Sequence, residues 1–180
     1  MKKLKRLKKW QIILLVVVVV GVFAAMSGGS DDKDTTSDKK ESTKEEVKTY
    51  TVGEVVPVGD VEYTVNSISS TKTIGSDYLN NDAQEMYLVV NISIKNNGDE
   101  ALNVSDSFFK LLKGKKTYET DSGSAIYLED SIIYKDINPE ATLTGSFVFD
   151  VTQETIDDQS LQLQVQTGVW GTETEVINLH

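Results

Sequence analysis

The chain has 180 residues, no cysteine, one histidine at its last position, and 28 acids against 18 lysines and arginines, for a net charge of −10. This inventory excludes disulfides, thiolate metal sites and cysteine nucleophiles. It leaves room for one domain of ordinary size, large enough to fold without covalent staples.

The charge is unevenly placed. Residues 1–9 carry six bases and no acid, whereas residues 50–180 carry seven bases and 21 acids, a net of −14. A domain this acidic repels phosphate backbones, so no nucleic-acid partner is expected. The basic residues 1–9 read as a cytoplasmic end. Ile12–Met26 then runs without a charge, and Trp10 stands at the junction, where an indole favours the membrane interface. Residues 10–26 are at the short end of what spans a bilayer. The Lys and Arg before them keep the N-terminus inside and send the rest across. The segment is read as a retained transmembrane helix. The same layout suits a cleaved signal segment, with Val22-Phe23-Ala24 or Ala25-Met26-Ser27 as cleavage sites and secretion as the alternative outcome.

Residues 27–49 form the linker. Ser27–Lys48 is Gly, Ser, Thr, Asp, Lys and Glu, with Val47 its one large apolar residue. Such a stretch cannot offset chain entropy by burial and is expected to be disordered. As a flexible coil it spans on the order of 26 Å.

From residue 50 to residue 180 the pattern is that of strands. Val61–Ser69 turns Val61, Tyr63 and Val65 inward, followed by either Ser67 or Ile68. Ser70–Gln84 reads as a long connection of the kind that carries recognition or is a floppy insertion. Met86–Lys95 alternates, with Met86, Leu88, Val90, Ile92 and Ile94 on one face. Asn96-Asn97-Gly98-Asp99 makes a turn. Phe108–Lys113 and Lys116–Thr120 form a hairpin around Gly114. Tyr127–Leu128 and Ile132–Ile137 read as short strands or an ordered crossing loop. Asn138-Pro139-Glu140-Ala141 is a turn. In the strand Thr142–Val151, Leu143, Gly145, Phe147, Phe149 and Val151 share a face. Gly145 in mid-strand marks a bulge or a close neighbour. Leu161, Leu163 and Val165 alternate with glutamines, and Thr172–Leu179 closes the pattern. Seven to nine short strands with frequent turns and no amphipathic helix predict an all-β antiparallel sandwich.

The residues Gly53-Glu54-Val55-Val56, Val61–Ile68, Tyr87–Asn96, and Asn138-Pro139-Glu140 before Thr144–Val151 together resemble the bacterial domain of unknown function numbered 4352. The resemblance covers about residues 50–166. It implies an immunoglobulin-like β-sandwich, related to secreted mycobacterial antigens and carried by lipoproteins or membrane-anchored proteins of Gram-positive bacteria. Its motifs are structural and transfer no catalytic residue. Met26 stands where many relatives have the lipid-bearing Cys, which removes thioether lipidation here.

No catalytic constellation is readable. A His-dependent triad or zinc site would have to recruit His180 at the chain end. Phosphate-cradling glycine motifs are absent. A carboxylate hydrolase needs one acidic pair, but 21 acids make such a pair unspecific. Asp157-Asp158, Glu129-Asp130 and Asp99-Glu100 offer calcium-type oxygens without a calcium-loop motif, and read as solvated surface. No enzyme, cofactor or metal site is therefore expected. The remaining hint is aromatic. Tyr78, Tyr118, Tyr127, Tyr134 and Trp170 fall near loops or edges, and Trp170, Tyr78 and Tyr127 are the candidate ligand contacts. The expectation is a membrane-anchored, extracellular, non-enzymatic binding or adhesion module whose partner is a protein or glycan at the cell surface. The alternative is a structural or envelope-stress component acting in cis with another membrane protein.

Overall fold

The structure, a computed structural model, describes residues 49–167 and 173–180. The basic end, the apolar segment 10–26, nearly all of the linker, and Trp170 lie outside the described residues. Among the described residues no helix is long and apolar enough to cross a membrane.

The described strands are β1 (Tyr50–Thr51), β2 (Val56–Val58), β3 (Val61–Gly75), β4 (Asn80–Asn96), β5 (Leu102–Asn103), β6 (Phe109–Lys113), β7 (Lys116–Glu119), β8 (Asp136–Ile137), β9 (Thr142–Val151), β10 (Gln162–Thr167) and β11 (Glu173–Asn178). One sheet has the order β1-β11-β10-β6-β7, the second β2-β3-β4-β9, and β5 and β8 form a separate pair. Every pairing is antiparallel except β1 with β11, where Tyr50 lies opposite Ile177. The α-helix content of the described residues is one turn, α1 (Gln153–Ile156). The described residues form an all-β sandwich.

Period-two burial explains why the two larger sheets pack. Leu88, Val90, Ile92 and Ile94 of β4 and Phe147 and Phe149 of β9 are buried from one side. Phe109, Leu111, Leu163, Val165 and Ile177 are buried from the other, in the same cluster. The sheets meet through rings. Phe109 of β6 stacks on Phe147 of β9, with centroids 4.1 Å apart and planes 18° apart, and Tyr63 of β3 meets Phe109 edge-on at 6.2 Å. Such ring pairs add about 0.5–1.5 kcal/mol each beyond their burial. Tyr63 also donates its hydroxyl to the Gln166 carbonyl at 2.8 Å, which satisfies a polar atom in the core. Burial pushes the Tyr63 hydroxyl far above its ordinary range, so it stays neutral and keeps donating.

The strand Thr142–Val151 appears with the bounds its alternation predicts, and the hairpin around Gly114 is present, with Gly114 at a φ of 58°. In β3 a register shift falls between Val65 and Ser67, and it turns Ile68 rather than Ser67 onto the core. The connection expected over Ser70–Gln84 is not a loop. Both strands run on, and Thr73, Ile74 and Gly75 pair with Asp82, Asn81 and Asn80. A bulge hides this continuity in the sequence. Thr71 lies opposite Tyr87 and Thr73 opposite Asp82, so residues 83–86 of β4 have no partner on β3. Two opposite charges satisfy that bulge. The Lys72 ammonium donates to the carbonyls of Ala83, Gln84 and Glu85 at 2.6, 3.1 and 2.9 Å. The Asp150 carboxylate accepts the amides of Gln84 and Glu85 at 2.6 and 2.9 Å. The hairpin end then lies over the outer face of the β2-β3-β4-β9 sheet. There Ile74 and Ala83 bury Tyr87 and Val148, which alternation alone assigns to the outward side.

Gly145 is explained by a close neighbour and not by a bulge, because the β4–β9 register is unbroken. A Cβ at this position would overlap the Asp130 carbonyl oxygen and crowd the Ile132 side chain at 2.7 Å. The missing side chain lets residues 130–132 dock on the free edge of β9. Gly145→Ala should therefore destabilise the domain by about 1–3 kcal/mol, the usual cost of overpacking. Urea unfolding measures this, and an unchanged midpoint would count against the contact.

Candidate functional site

After β7 the chain crosses to the other sheet through residues 120–137. This crossing is fastened at both sides. Its first anchor is the Asp121 amide, which donates to the Val148 carbonyl at 2.9 Å. The Asp121 carboxylate then caps a 3-10 turn, Ser122–Tyr127, accepting the Ser124 hydroxyl at 2.6 Å and the Ser124 amide at 3.2 Å. Ser124 is buried and bonds the Tyr87 hydroxyl at 2.9 Å. Asn81 of the hairpin end donates to that same Ser124 oxygen at 3.2 Å and to Tyr87 at 2.7 Å. The sheet edge provides the second anchor. Ser146 donates its amide to the Asp130 carbonyl at 2.9 Å and accepts the Ile132 amide at 3.2 Å. On the far side the Tyr134 amide donates to the Val104 carbonyl at 2.8 Å, and the Val104 amide to the Lys135 carbonyl at 2.9 Å.

Between these anchors lies a depression of about 300 Å³ lined by Ser122, Ala125, Ile126, Leu128, Glu129, Ser131, Ile133, Tyr134 and Lys135. Three features that cost stability meet in it. Ile126 and Tyr134 are 72% and 61% exposed, two of the five large hydrophobic side chains found exposed among the described residues. Tyr134 has a φ of 62°, a left-handed conformation that costs a non-glycine residue about 1–3 kcal/mol. Ser131 is 8% exposed, and its Oγ is the one buried side-chain polar atom among the described residues with no hydrogen-bond partner. Strain, an unpaired hydroxyl and exposed apolar surface are each tolerated where something else requires them. Their coincidence singles this depression out.

Asp106 braces the rim. It accepts the Tyr134 hydroxyl at 3.1 Å and the Ser107 amide at 2.8 Å, and Ser105 bonds it at 3.1 Å. Burial alone would raise its carboxyl. Hydrogen bonds from Tyr134, Ser105, Ser122 and Ser107 outweigh that and hold it below the usual carboxylate value.

Other depressions carry more charge on their walls. One of about 530 Å³ is walled by Asp60, Asp99, Glu100 and Glu173. A second, of about 350 Å³, mixes Lys113 and Lys116 with Glu85, Asp150 and Glu154. Both lack the strain and the unpaired hydroxyl found at Ser131 and Tyr134. Among the described residues no group of three or more His, Asp or Glu side chains converges as metal ligands would. Of the acidic clusters, Asp158 is engaged by the Ser160 hydroxyl at 2.6 Å, its amide at 2.9 Å, and Lys113 at 3.3 Å, and these contacts hold its pKa at about 2. Asp130 accepts the Ser146 hydroxyl at 2.7 Å.

Tyr78 sits fully exposed in the turn between β3 and β4. Tyr127 is half-buried and packs with Leu128 on the outer cluster around Tyr87 and Val148. The two do not share the depression. Ile126 and Ser131 carry no signal that sequence reasoning could use. Tyr134 stood among the aromatics near loops, but its left-handed backbone is not readable from a single sequence.

The architecture and this surface define a β-sandwich domain with one side bridged by an ordered crossing segment. The chain belongs to the family described as Domain of unknown function DUF4352, whose family model matches residues 50–176. It is 28% identical to the uncharacterized protein YxkC of Bacillus subtilis over 123 residues, 63% of this chain and 68% of that protein. Among solved structures it is similar to the yjhA protein from Bacillus subtilis, with a TM-score of 0.54 and 14% identity over 73% of this chain and 99% of that one. It is also similar to an uncharacterized beta-sandwich protein from Clostridium difficile, with a TM-score of 0.50 and 18% identity over 84% of this chain and all of that one.

Tyr134→Phe should raise the Asp106 pKa by deleting one of the bonds that lower it. The stability that Asp106 confers is present above the unfolded carboxylate value of about 4 and is lost as pH falls through its depressed folded value. In the variant that loss should begin at higher pH. Carboxyl titration by NMR checks this, and an unmoved Asp106 would show that the Tyr134 hydroxyl does not brace it.

Proposed function

We propose that this chain is a non-enzymatic binding module held outside the membrane. Residues 10–26 anchor it, residues 27–49 tether it, and an immunoglobulin-like sandwich presents the contact surface. The observation that carries the reading is the depression at Ile126 and Tyr134. There, apolar side chains are kept exposed on a segment that hydrogen bonds hold to rigid strands. Rigid presentation lowers the entropy lost on binding, and an exposed Tyr is a favoured anchor of recognition surfaces. The six bases before the apolar segment and the absence of charge within it support the orientation, with the acidic domain on the outer side. The absence from the sequence of cysteine and of phosphate-cradling motifs, together with a lone histidine at position 180, supports a role in binding without turnover.

Protease added to intact protoplasts should degrade the domain and leave a small membrane-bound fragment. A photocrosslinking residue at position 126 should then capture a discrete partner that the same residue at Lys115 does not. Protection of the domain would contradict the location. Identical adducts from the two positions would contradict the binding surface.

A further inference from the structure

The depression at the crossing segment has a chemistry that narrows its ligand. The apolar part of its walls comes from Ile126, Leu128, Ile133 and Tyr134. Its volume of about 300 Å³ is at the lower end for ligand cavities, so it takes one large side chain rather than a whole cofactor. Ser131 lines it, and its hydroxyl is buried without a partner, so a turn about χ1 must bring that oxygen to a ligand. A backbone carbonyl beside a seated side chain would supply the missing acceptor.

Acids outnumber bases around the depression. Glu129 lines it, Asp130 and Asp136 adjoin lining residues in the chain, Asp121 caps the 3-10 turn and Asp106 holds the Tyr134 hydroxyl. Lys135 is the one base lining it. None of these five carboxylates is in an ion pair with a described residue, since the four ion pairs found join Lys95, Lys110 and Lys113 to other acids. The whole of residues 50–180 carries −14, so a cation is steered toward this face and an anion away from it.

We propose that the depression is a docking site for a cationic peptide segment. One bulky apolar side chain enters between Ile126 and Tyr134, its backbone carbonyl accepts the Ser131 hydroxyl, and flanking lysines or arginines lie over Glu129 and the neighbouring aspartates. This rests on the reading of the domain as a binding module, and it names the partner's chemistry. It also accounts for the three costs together. The left-handed Tyr134, the unpaired Ser131 and the exposed Ile126 are unfavourable in the free domain and become useful only when the site is filled.

The test uses the full chain in detergent at low ionic strength and three synthetic nine-residue peptides. The first alternates Lys and Gly around a central Trp, the second has Ala at the centre, and the third has Glu in place of Lys. Amide shifts in the NMR spectrum report the site. The cationic Trp peptide should perturb residues 126–135 and bind at least tenfold more tightly than either control, with affinity falling as salt rises. Ser131→Ala and Tyr134→Gly should each weaken that binding at least fivefold, and the thermal midpoint of Ser131→Ala should be unchanged or higher, because the Ser131 hydroxyl has no partner in the free fold. Ile126→Ser should weaken it at least tenfold. Equal binding of the Glu peptide at the same residues would overturn the cationic class and leave the binding-module reading intact. Shifts confined to Tyr78 and Leu79, or to Asp99 and Glu100, would overturn this site and leave that reading intact. If no peptide binds, the docking proposal fails, and the crosslinking experiment in cells still decides the broader reading.

Discussion

The free edge of β9 is where the fold and its candidate site meet. Toward the interior, Phe147 stacks on Phe109 and joins the two large sheets. At the edge, Ser146 exchanges hydrogen bonds with Asp130 and Ile132. Gly145, with no side chain, allows the Asp130 carbonyl to come close enough for that exchange. Without this approach the crossing segment would have no fixed seat. Ile132 would then leave the core, and the walls of the depression would not be held relative to one another.

The same docking covers what would otherwise be an open sheet edge. A ten-residue edge strand with free amides is a template for unwanted pairing. Here the Asp121, Asp130 and Ile132 backbones occupy groups on that edge. At the opposite edge of the same sheet, β2 is three residues long and contains Pro57, which has no amide to offer. The edge strand β7 has four residues and begins with a lysine. The domain is thus protected against strand addition, and its exposed large apolar side chains fall on the crossing segment, the hairpin turn and Val55 before β2.

Much of this architecture was legible because burial in a sheet has a period of two. The alternation from Met86 to Lys95 and from Thr142 to Val151 identifies a central strand and the neighbouring edge strand of one sheet, and Gly145 points to its close neighbour. Long-range effects were not legible. The hairpin arms beyond Ser70 look like a connection because Ala83–Met86 bulge out of register, and only the placement of Lys72 and Asp150 shows how the bulge is satisfied. Tyr87 and Val148 look solvent-facing because what covers them, Ile74 and the 3-10 turn, comes from distant parts of the chain. The site escaped for the same reason. Ser131 is unremarkable until its neighbours leave its hydroxyl unpaired, and the significance of Tyr134 lies in a backbone angle. The aromatics chosen from the sequence were selected by type and by proximity to turns, which brought out Tyr78 at the hairpin turn and Tyr127 on a covered face.

The central claim is that the depression is preformed because the crossing segment is locked to β9. Native-state hydrogen exchange of the Ile132 and Ser146 amides tests it most directly. Both should exchange only through global unfolding, with the same opening free energy as the Val90 amide in the core. Exchange of Ile132 and Ser146 through a low-energy local opening, with Val90 still protected, would contradict it.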